Sequence, residues 1–143
     1  NVYYQTKLAA GRWLPVVKNN EDYAGIRGQN ITGLAITTDT GYIKYRVHVD
    51  SGWLDFIDSR NTDINDYYNG YAGNDTPVDA VEIYYYTPDD IIKSSGYHYA
   101  FYRVSPVNGN YYSYQKDNNK DNGMDSYAGI WGHFIDRLQI DIR

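Results

Sequence analysis

The feature of this sequence that most constrains its fold is a set of anchors that recurs three times in the same order. Each set begins with an alternating segment that starts at a tyrosine: Tyr4, Tyr45 and Tyr102. A glycine follows seven residues later, an aromatic residue comes within two residues of that glycine, and a Tyr-Ala-Gly tripeptide stands further on. Such self-similarity indicates one structural unit used three times. We therefore divide the chain into unit 1 (residues 1–40), unit 2 (residues 41–88) and unit 3 (residues 97–143), with a linker at residues 89–96.

The other anchors have one member in each unit. The glycines are Gly11, Gly52 and Gly109, the aromatic residues after them are Trp13, Trp53 and Tyr111, and the tyrosines of Tyr-Ala-Gly are Tyr23, Tyr71 and Tyr127. A closing strand then begins in each unit, at residues 31–36, 78–83 and 135–140. The linker at residues 89–96 is predicted to be a surface segment or a single helical turn after Pro88.

Alternation of side chains assigns the faces of these strands, because successive residues of a strand point to opposite sides. In the opening strands the tyrosines are predicted to point inward. In the closing strands the predicted inward residues are Leu34/Ile36, Val81/Ile83 and Leu138/Ile140. In the middle segments the predicted inward residues are Leu14/Val16, Leu54/Phe56 and Tyr112/Tyr114. These sets can fill one shared core. We predict an all-β single domain with pseudo-threefold symmetry, β-trefoil-like, with a β-prism or paired SH3-like barrels as alternatives.

Composition excludes several classes of partner. The formal net charge is −5, which argues against nucleic acid, whose binding proteins carry a basic patch. No apolar run approaches the roughly 18 residues of a membrane-spanning helix. Eighteen tyrosines supply rings that suit both strands and wet binding surfaces. Because the chain begins at Asn1 and shows no signal peptide, we interpret it as a segment of a longer polypeptide.

The sequence does not contain a recognisable catalytic constellation. His48, on the opening strand of unit 2, is predicted to be a solvated strand residue, and Asp79 and Asp136 are predicted to lie on strand surfaces in different units. Residues 117–125 resemble a calcium loop, but their glycine is one position late, which favours a solvated turn. We therefore expect no catalytic residue, no metal site and no cofactor.

The aromatic anchors are the strongest candidates for ligand binding. A large ring beside a glycine turn can stack on a sugar ring, although the same rings could instead cap the core between units. Trp131 occurs in unit 3 alone, within a loop, which favours a binding role. The predicted ligand-binding residues are Trp13, Trp53, Tyr111, Trp131, Tyr23, Tyr71 and Tyr127.

Unit 2 contains Gly52-Trp53-Leu54, Tyr71-Ala72-Gly73 and a closing strand at residues 78–83. This pattern resembles the clostridial hydrophobic repeats with a Gly-Trp core and the C-terminal wall-binding part of amidase-type phage endolysins. The resemblance covers nearly the whole chain, and unit 3 departs from it with Asn110-Tyr111-Tyr112.

The resemblance implies a non-catalytic cell-wall-binding module, extracellular at a Gram-positive wall. Its expected ligand is wall polysaccharide, peptidoglycan or teichoic acid, and its expected partner is an N-terminal peptidoglycan hydrolase domain. The alternative is a protein-interaction or adhesin module that uses the tyrosine-rich surface. A small enzyme is the third hypothesis.

Overall fold

The chain folds as an all-β structure, which confirms the predicted class. The computed structural model describes residues 1–64, 66–68, 70–117 and 127–143. The long strands are β1 (Val2–Leu8), β4 (Ile31–Thr38), β5 (Tyr42–Val49), β8 (Ala80–Tyr86), β9 (Ala100–Pro106) and β12 (Ile135–Ile142). The short strands are β2 (Val17–Lys18), β3 (Ala24–Gly25), β6 (Gly52–Trp53), β7 (Ile57–Asp58), β10 (Gln115–Lys116) and β11 (Ala128–Gly129).

Each unit contains one long antiparallel pair, and the three pairs have matching registers. The pairs are β1–β4, β5–β8 and β9–β12, in which the opening tyrosine lies opposite an isoleucine: Tyr4 and Ile36, Tyr45 and Ile83, Tyr102 and Ile140. The strands belong to three separate antiparallel sheets. Within the described residues these sheets do not close into a barrel.

The Tyr-Ala-Gly segments connect the units, because each pairs with the closing strand of another unit. Ala24 in β3 lies opposite Leu138 in β12, and Ala128 in β11 lies opposite Val81 in β8. Ala72 makes an isolated bridge to Leu34 in β4, with backbone hydrogen bonds in both directions. All three alanines are buried, so the contacts between units are part of the core.

The predicted inward faces of the opening and closing strands are buried almost without exception. Tyr4, Tyr45 and Tyr102 are fully buried, and their hydroxyls reach the backbone of a closing strand in another unit. Ile140 N–H donates to the Tyr4 hydroxyl at 3.1 Å, and Ile36 N–H donates to the Tyr45 hydroxyl at 3.2 Å. The Ile83 backbone makes the corresponding hydrogen bond with Tyr102. Three buried tyrosines therefore satisfy backbone groups at the centre of the core.

The face prediction for the middle segments is wrong in part. Val16 is 44% exposed and Phe56 is 41% exposed, whereas Leu14 is buried as expected. Each middle segment leaves the sheet after one contact and returns at β2, β7 or β10, so Val17 and Ile57 pack against the core instead. A two-residue excursion breaks the period of two that the prediction assumed.

The predicted linker contains a short helix, α1 (Asp89–Ser95), between β8 and β9. None of its residues is buried, and its acidic first turn, Asp89 and Asp90, suits the positive end of the helix dipole. Gly96, with φ of 85°, ends the helix. The segment is thus a helix on the surface and contributes no side chain to the core. No helix within the described ranges has the length and apolar character needed to span a bilayer.

Candidate functional site

The predicted aromatic residues meet at the junctions between units. Trp13 of unit 1 contacts Tyr71 of unit 2 edge-on, with ring centroids 5.1 Å apart. Trp53 of unit 2 contacts Tyr127 of unit 3 in the same way, with centroids 5.7 Å apart. All four rings are partly buried and lie outside the apolar core cluster. The junctions therefore hold rings that are anchored by packing and still reach solvent.

Close approach of the backbone explains why a Tyr-Ala-Gly tripeptide produces these contacts. Gly25, Gly73 and Gly129 have φ between 123° and 137°, a region that other residues rarely adopt. A Cβ atom on Gly25 would overlap the carbonyl oxygen of Asp136 in the neighbouring unit, and the other two glycines face the same restriction. Glycine permits the pairing, and the pairing delivers the preceding tyrosine to the ring of the adjacent unit.

The first junction forms an open cleft of about 500 Å³, lined by Lys7, Gly11, Trp13, Tyr67, Tyr68, Tyr71 and Asp75. Trp13 is stacked on Tyr67 with centroids 5.9 Å apart, and its indole N–H donates to the Tyr67 carbonyl at 3.2 Å. Tyr68 is 86% exposed at the rim. The cleft thus combines several aromatic faces with an open mouth.

A charged pair lies beside these rings. Lys7 Nζ lies 2.7 Å from Asp75 and donates to the Tyr71 hydroxyl at 3.3 Å. The hydrogen bond to Asp75 raises the pKa of Lys7. The cleft therefore presents both an amine donor and a carboxylate acceptor next to aromatic faces.

The second junction is organised around His48. The imidazole lies parallel to the Trp131 ring at a centroid distance of 4.7 Å and meets Trp53 edge-on at 5.2 Å. His48 Nδ1 is 2.6 Å from Asp79 Oδ1, and Asp79 Oδ2 accepts the Gly132 N–H at 2.8 Å. One carboxylate therefore holds both the imidazole and the turn that carries Trp131. That tryptophan is 56% exposed, so its ring is available to a ligand.

The surface positions predicted for His48, Asp79 and Asp136 are wrong. His48 is largely enclosed, and both aspartates are buried. Asp136 Oδ2 accepts the N–H groups of Gly28 at 2.7 Å and Asn108 at 2.8 Å. The alternation rule failed because a neighbouring unit covers this face of the strand and supplies donors that alternation within one strand cannot reveal.

The third junction is the most cationic. Tyr111 lies between two guanidinium groups, with Arg103 4.3 Å and Arg137 5.3 Å from the ring centroid. Its hydroxyl is buried and has no hydrogen-bond partner in the described structure. Burial raises the pKa of Tyr111 to about 12, although both guanidiniums act in the opposite direction. Tyr23, the ligand-binding residue predicted for the Tyr-Ala-Gly segment of unit 1, is 42% exposed and close enough to affect the same pKa.

The other histidines and the calcium-like segment are the remaining candidates for a metal site. His98 contacts Ser95 at 3.1 Å on the surface, remote in sequence from the His48 cluster. In the part of the chain that the structure describes, no three His, Asp or Glu side chains are grouped closely enough to hold a metal ion. The calcium-like segment at residues 117–125 lies outside the described residues except for Asp117.

The main residues that sequence reasoning missed are Lys7, Tyr67, Tyr68, Asp75 and Arg103. The adjacent Tyr67 and Tyr68 occur in the long loop of unit 2, which was the available signal for the first cleft. Lys7 and Asp75 carry no such signal, because their pairing joins units 1 and 2. Arg103 carries none either, because its contacts depend on how β9 pairs with β12 and on the path of the middle segment of unit 3. No protein-family model, curated protein or solved structure matches this chain.

Proposed function

We propose that this chain is a non-catalytic module that binds glycan of a Gram-positive cell wall and holds an attached peptidoglycan hydrolase there. The observation that carries the proposal is the cleft at the first junction, where rings from units 1 and 2 surround an open space. Wall binding, the hydrolase partner and an extracellular location also follow from the resemblance to endolysin wall-binding regions.

The chemistry of the first cleft suits a sugar. A pyranose ring has apolar C–H patches that pack on aromatic faces, and hydroxyl groups that need polar partners. Trp13, Tyr67 and Tyr71 offer the faces, while Lys7 and Asp75 offer a donor and an acceptor. Concave sites in which aromatic side chains lie beside a few placed polar groups commonly bind small ligands.

The finer architecture that we propose is a pseudo-threefold, β-trefoil-like arrangement of the three units. Its support is the equivalence of three contacts: each Tyr-Ala-Gly segment pairs with the closing strand of the preceding unit, and unit 1 pairs with unit 3. Such an arrangement would present three related junctions at the surface. A wall polymer with repeating sugars could then engage more than one junction, which strengthens attachment.

A pull-down on purified sacculi tests the proposal, with Tyr68→Ala as the variant. Tyr68 is so exposed that its loss should leave the melting temperature unchanged, yet it lines the cleft. We expect its removal to weaken binding by about tenfold, or roughly 1.4 kcal/mol. Tyr97→Ala is the matched control, since Tyr97 is 67% exposed and does not line the cleft. Equal binding by wild type and Tyr68→Ala would contradict a role for this cleft.

A second candidate function is recognition of a protein surface. It is favoured by the outer face of unit 2, where Tyr42 and Tyr86 are stacked at 4.5 Å and the Arg60 guanidinium lies 3.8 Å from the Tyr42 ring centroid. Tyrosine and arginine are enriched at protein interfaces. Tyr86→Ala should impair this function and leave sacculus binding intact, so the two candidates are separable.

A further inference from the structure

The outer face of unit 3 carries a ladder in which aromatic rings and cations alternate. Arg103 lies between Tyr111 and Tyr114, with distances of 4.3 Å and 4.7 Å from the guanidinium to the ring centroids. Arg143 lies between Tyr114 and Phe101, at 5.1 Å and 5.0 Å. The ladder continues to Lys116, whose amine is 4.2 Å from the centroid of the Tyr99 ring. These contacts position the cations while leaving part of each side chain at the surface.

Unit 2 has a similar stack with different rings and a different partner across the strand pair. Arg46 lies against Trp53 and Phe56, at 4.4 Å and 4.5 Å, as Arg103 lies against its two tyrosines. The partner of Arg46 across the strand pair is Glu82, whose carboxylate is 2.9 Å away. The partner of Arg103 is Gln139, whose amide oxygen accepts two N–H bonds at 2.9 Å and 2.6 Å. Unit 3 therefore keeps the cross-strand contact to the arginine but lacks the negative charge that Glu82 supplies in unit 2.

The replacement leaves a fixed positive charge on unit 3. Arg137 pairs with the adjacent Asp136, and Arg143 pairs with Asp141 two positions earlier, both at 2.9 Å. Within the described residues, no carboxylate lies within 4.0 Å of the guanidinium of Arg103 or the amine of Lys116. The chain as a whole has a net charge of −5, so this face is a local exception.

Gln139 orients the guanidinium of Arg103 but does not use all of its N–H donors. Gln139 uses its oxygen for Arg103, and its amide N–H donates to the Asp22 carbonyl of unit 1 at 3.5 Å. Only two N–H bonds of Arg103 go to Gln139, out of the five that a guanidinium offers. A planar, positioned guanidinium with remaining donors is suited to two-point binding of a phosphate or carboxylate.

We propose that Arg103 is the centre of an oxyanion-binding subsite on the outer face of unit 3, which takes the phosphodiester or carboxylate group of an anionic wall polymer. The subsite rests on the proposed wall-binding function and divides it: the first junction binds sugar rings, and unit 3 binds the charged group. Tyr111 and Tyr114 hold the guanidinium, Gln139 sets its orientation, and Lys116 adds a second cation further along the face.

The two strand pairs supply the matched variants for the test. Gln139→Glu gives Arg103 the partner that Arg46 already has, so the fold has a precedent for it. Glu82→Gln removes that partner from Arg46. Calorimetric titration at fixed ionic strength would use poly(glycerol phosphate), polyglucuronate and a neutral chitooligosaccharide as probes.

We expect Gln139→Glu to weaken binding of at least one anionic probe by about tenfold or more, and to leave binding of the neutral probe unchanged. Glu82→Gln should strengthen anion binding or add a second site. The anionic probe that binds wild type more tightly identifies the phosphodiester or the carboxylate as the natural group. Equal anion binding by wild type and Gln139→Glu would overturn the subsite.

The neutral probe keeps the two proposals apart. If the chitooligosaccharide binds no variant while the anionic probe depends on Gln139, the subsite stands and the sugar cleft fails. If the neutral probe binds and the anionic probes ignore Gln139→Glu, the cleft stands and the subsite fails. If Gln139→Glu lowers the melting temperature and binds no probe, the variant is misfolded. Gln139→Leu would then be used instead, because it removes the amide without adding a negative charge. Comparing the two variants separates the effect of charge from the effect of packing.

Discussion

The interior of this protein and its junctions differ in how much they vary between units. The three buried tyrosines occupy matching places and contact a closing strand through the same hydroxyl. The junctions have the same backbone pairing but different side chains: Lys7 beside Tyr71, His48 beside Trp131, and Arg137 beside Tyr111. The three long strand pairs therefore contribute matching residues to one core, whereas the side chains at the three junctions differ in chemistry.

The largest expected effect on stability comes from substituting a buried tyrosine of the core. Tyr45→Ala removes a fully buried ring and leaves the Ile36 N–H without its partner, so it should lower the unfolding free energy by about 4 kcal/mol. Tyr102→Ala should cost the same within about 1 kcal/mol, because its environment matches. Urea denaturation measures both. A loss below 1 kcal/mol for either variant would show that the buried tyrosines are not equivalent.

The next effect concerns a junction. Asp136→Ala leaves the N–H groups of Gly28 and Asn108 without their acceptor and the charge of Arg137 without its carboxylate partner, so we expect a loss of about 3 kcal/mol. The corresponding residue of unit 1 is Thr32, whose hydroxyl donates to the Leu8 carbonyl at 3.1 Å. Thr32→Ala should cost only about 1 kcal/mol. Equal losses in thermal melts would mean that junction chemistry does not differ between units.

The smallest effect concerns the opening strands, where three different residues accept the equivalent backbone N–H group. Asn19, Ser59 and Asp117 each accept the N–H of the residue two before the buried tyrosine. Only Asp117 can carry a charge, and burial raises its pKa from 3.8 to about 6. Its Oδ1 atom has no hydrogen-bond partner in the described structure. The folded state therefore binds the proton more tightly than the unfolded state.

That difference predicts a pH dependence with a definite sign. The contribution of Asp117 to stability is fully present below about pH 4 and is lost as the pH rises through about 6, a change on the order of 2 kcal/mol. Asp117→Asn should remove this slope in urea melts between pH 4 and 7. Asp58→Asn is the control, because Arg60 lowers the pKa of Asp58 and gives it the opposite sign. An unchanged slope in Asp117→Asn would assign the titration to another group.

Much of the fold could be predicted from alternation alone. The inward faces of β1, β5 and β8 follow from a period of two, since that period is a local property of the strand backbone. The middle segments could not be predicted in the same way. Val16 and Phe56 turn outward because the chain leaves the sheet for two residues, and nothing in the local pattern marks where it returns.

The candidate sites, like the fold, could be predicted only in part from the sequence. The seven aromatic residues could be selected because they recur or, for Trp131, because it departs from the recurrence. Their partners could not be selected. Trp13 meets Tyr71 across 58 positions of the chain, and the Lys7–Asp75 pair spans 68, distances at which one sequence carries no signal about contact.

The sequence by itself determined the all-β class, the repeated anchors and the buried faces of the long strands, because hydrophobic alternation and glycine requirements act over a few residues. Only the tertiary structure decided that aspartates such as Asp79 and Asp136 are interior acceptors and that rings from different units share a cleft. It also decided that Arg46 pairs with a carboxylate, whereas Arg103 pairs with a neutral amide. Those outcomes depend on which strand edges meet. A backbone N–H or a carboxylate supplied by another unit changes the state of a side chain whose own neighbours in sequence are unchanged.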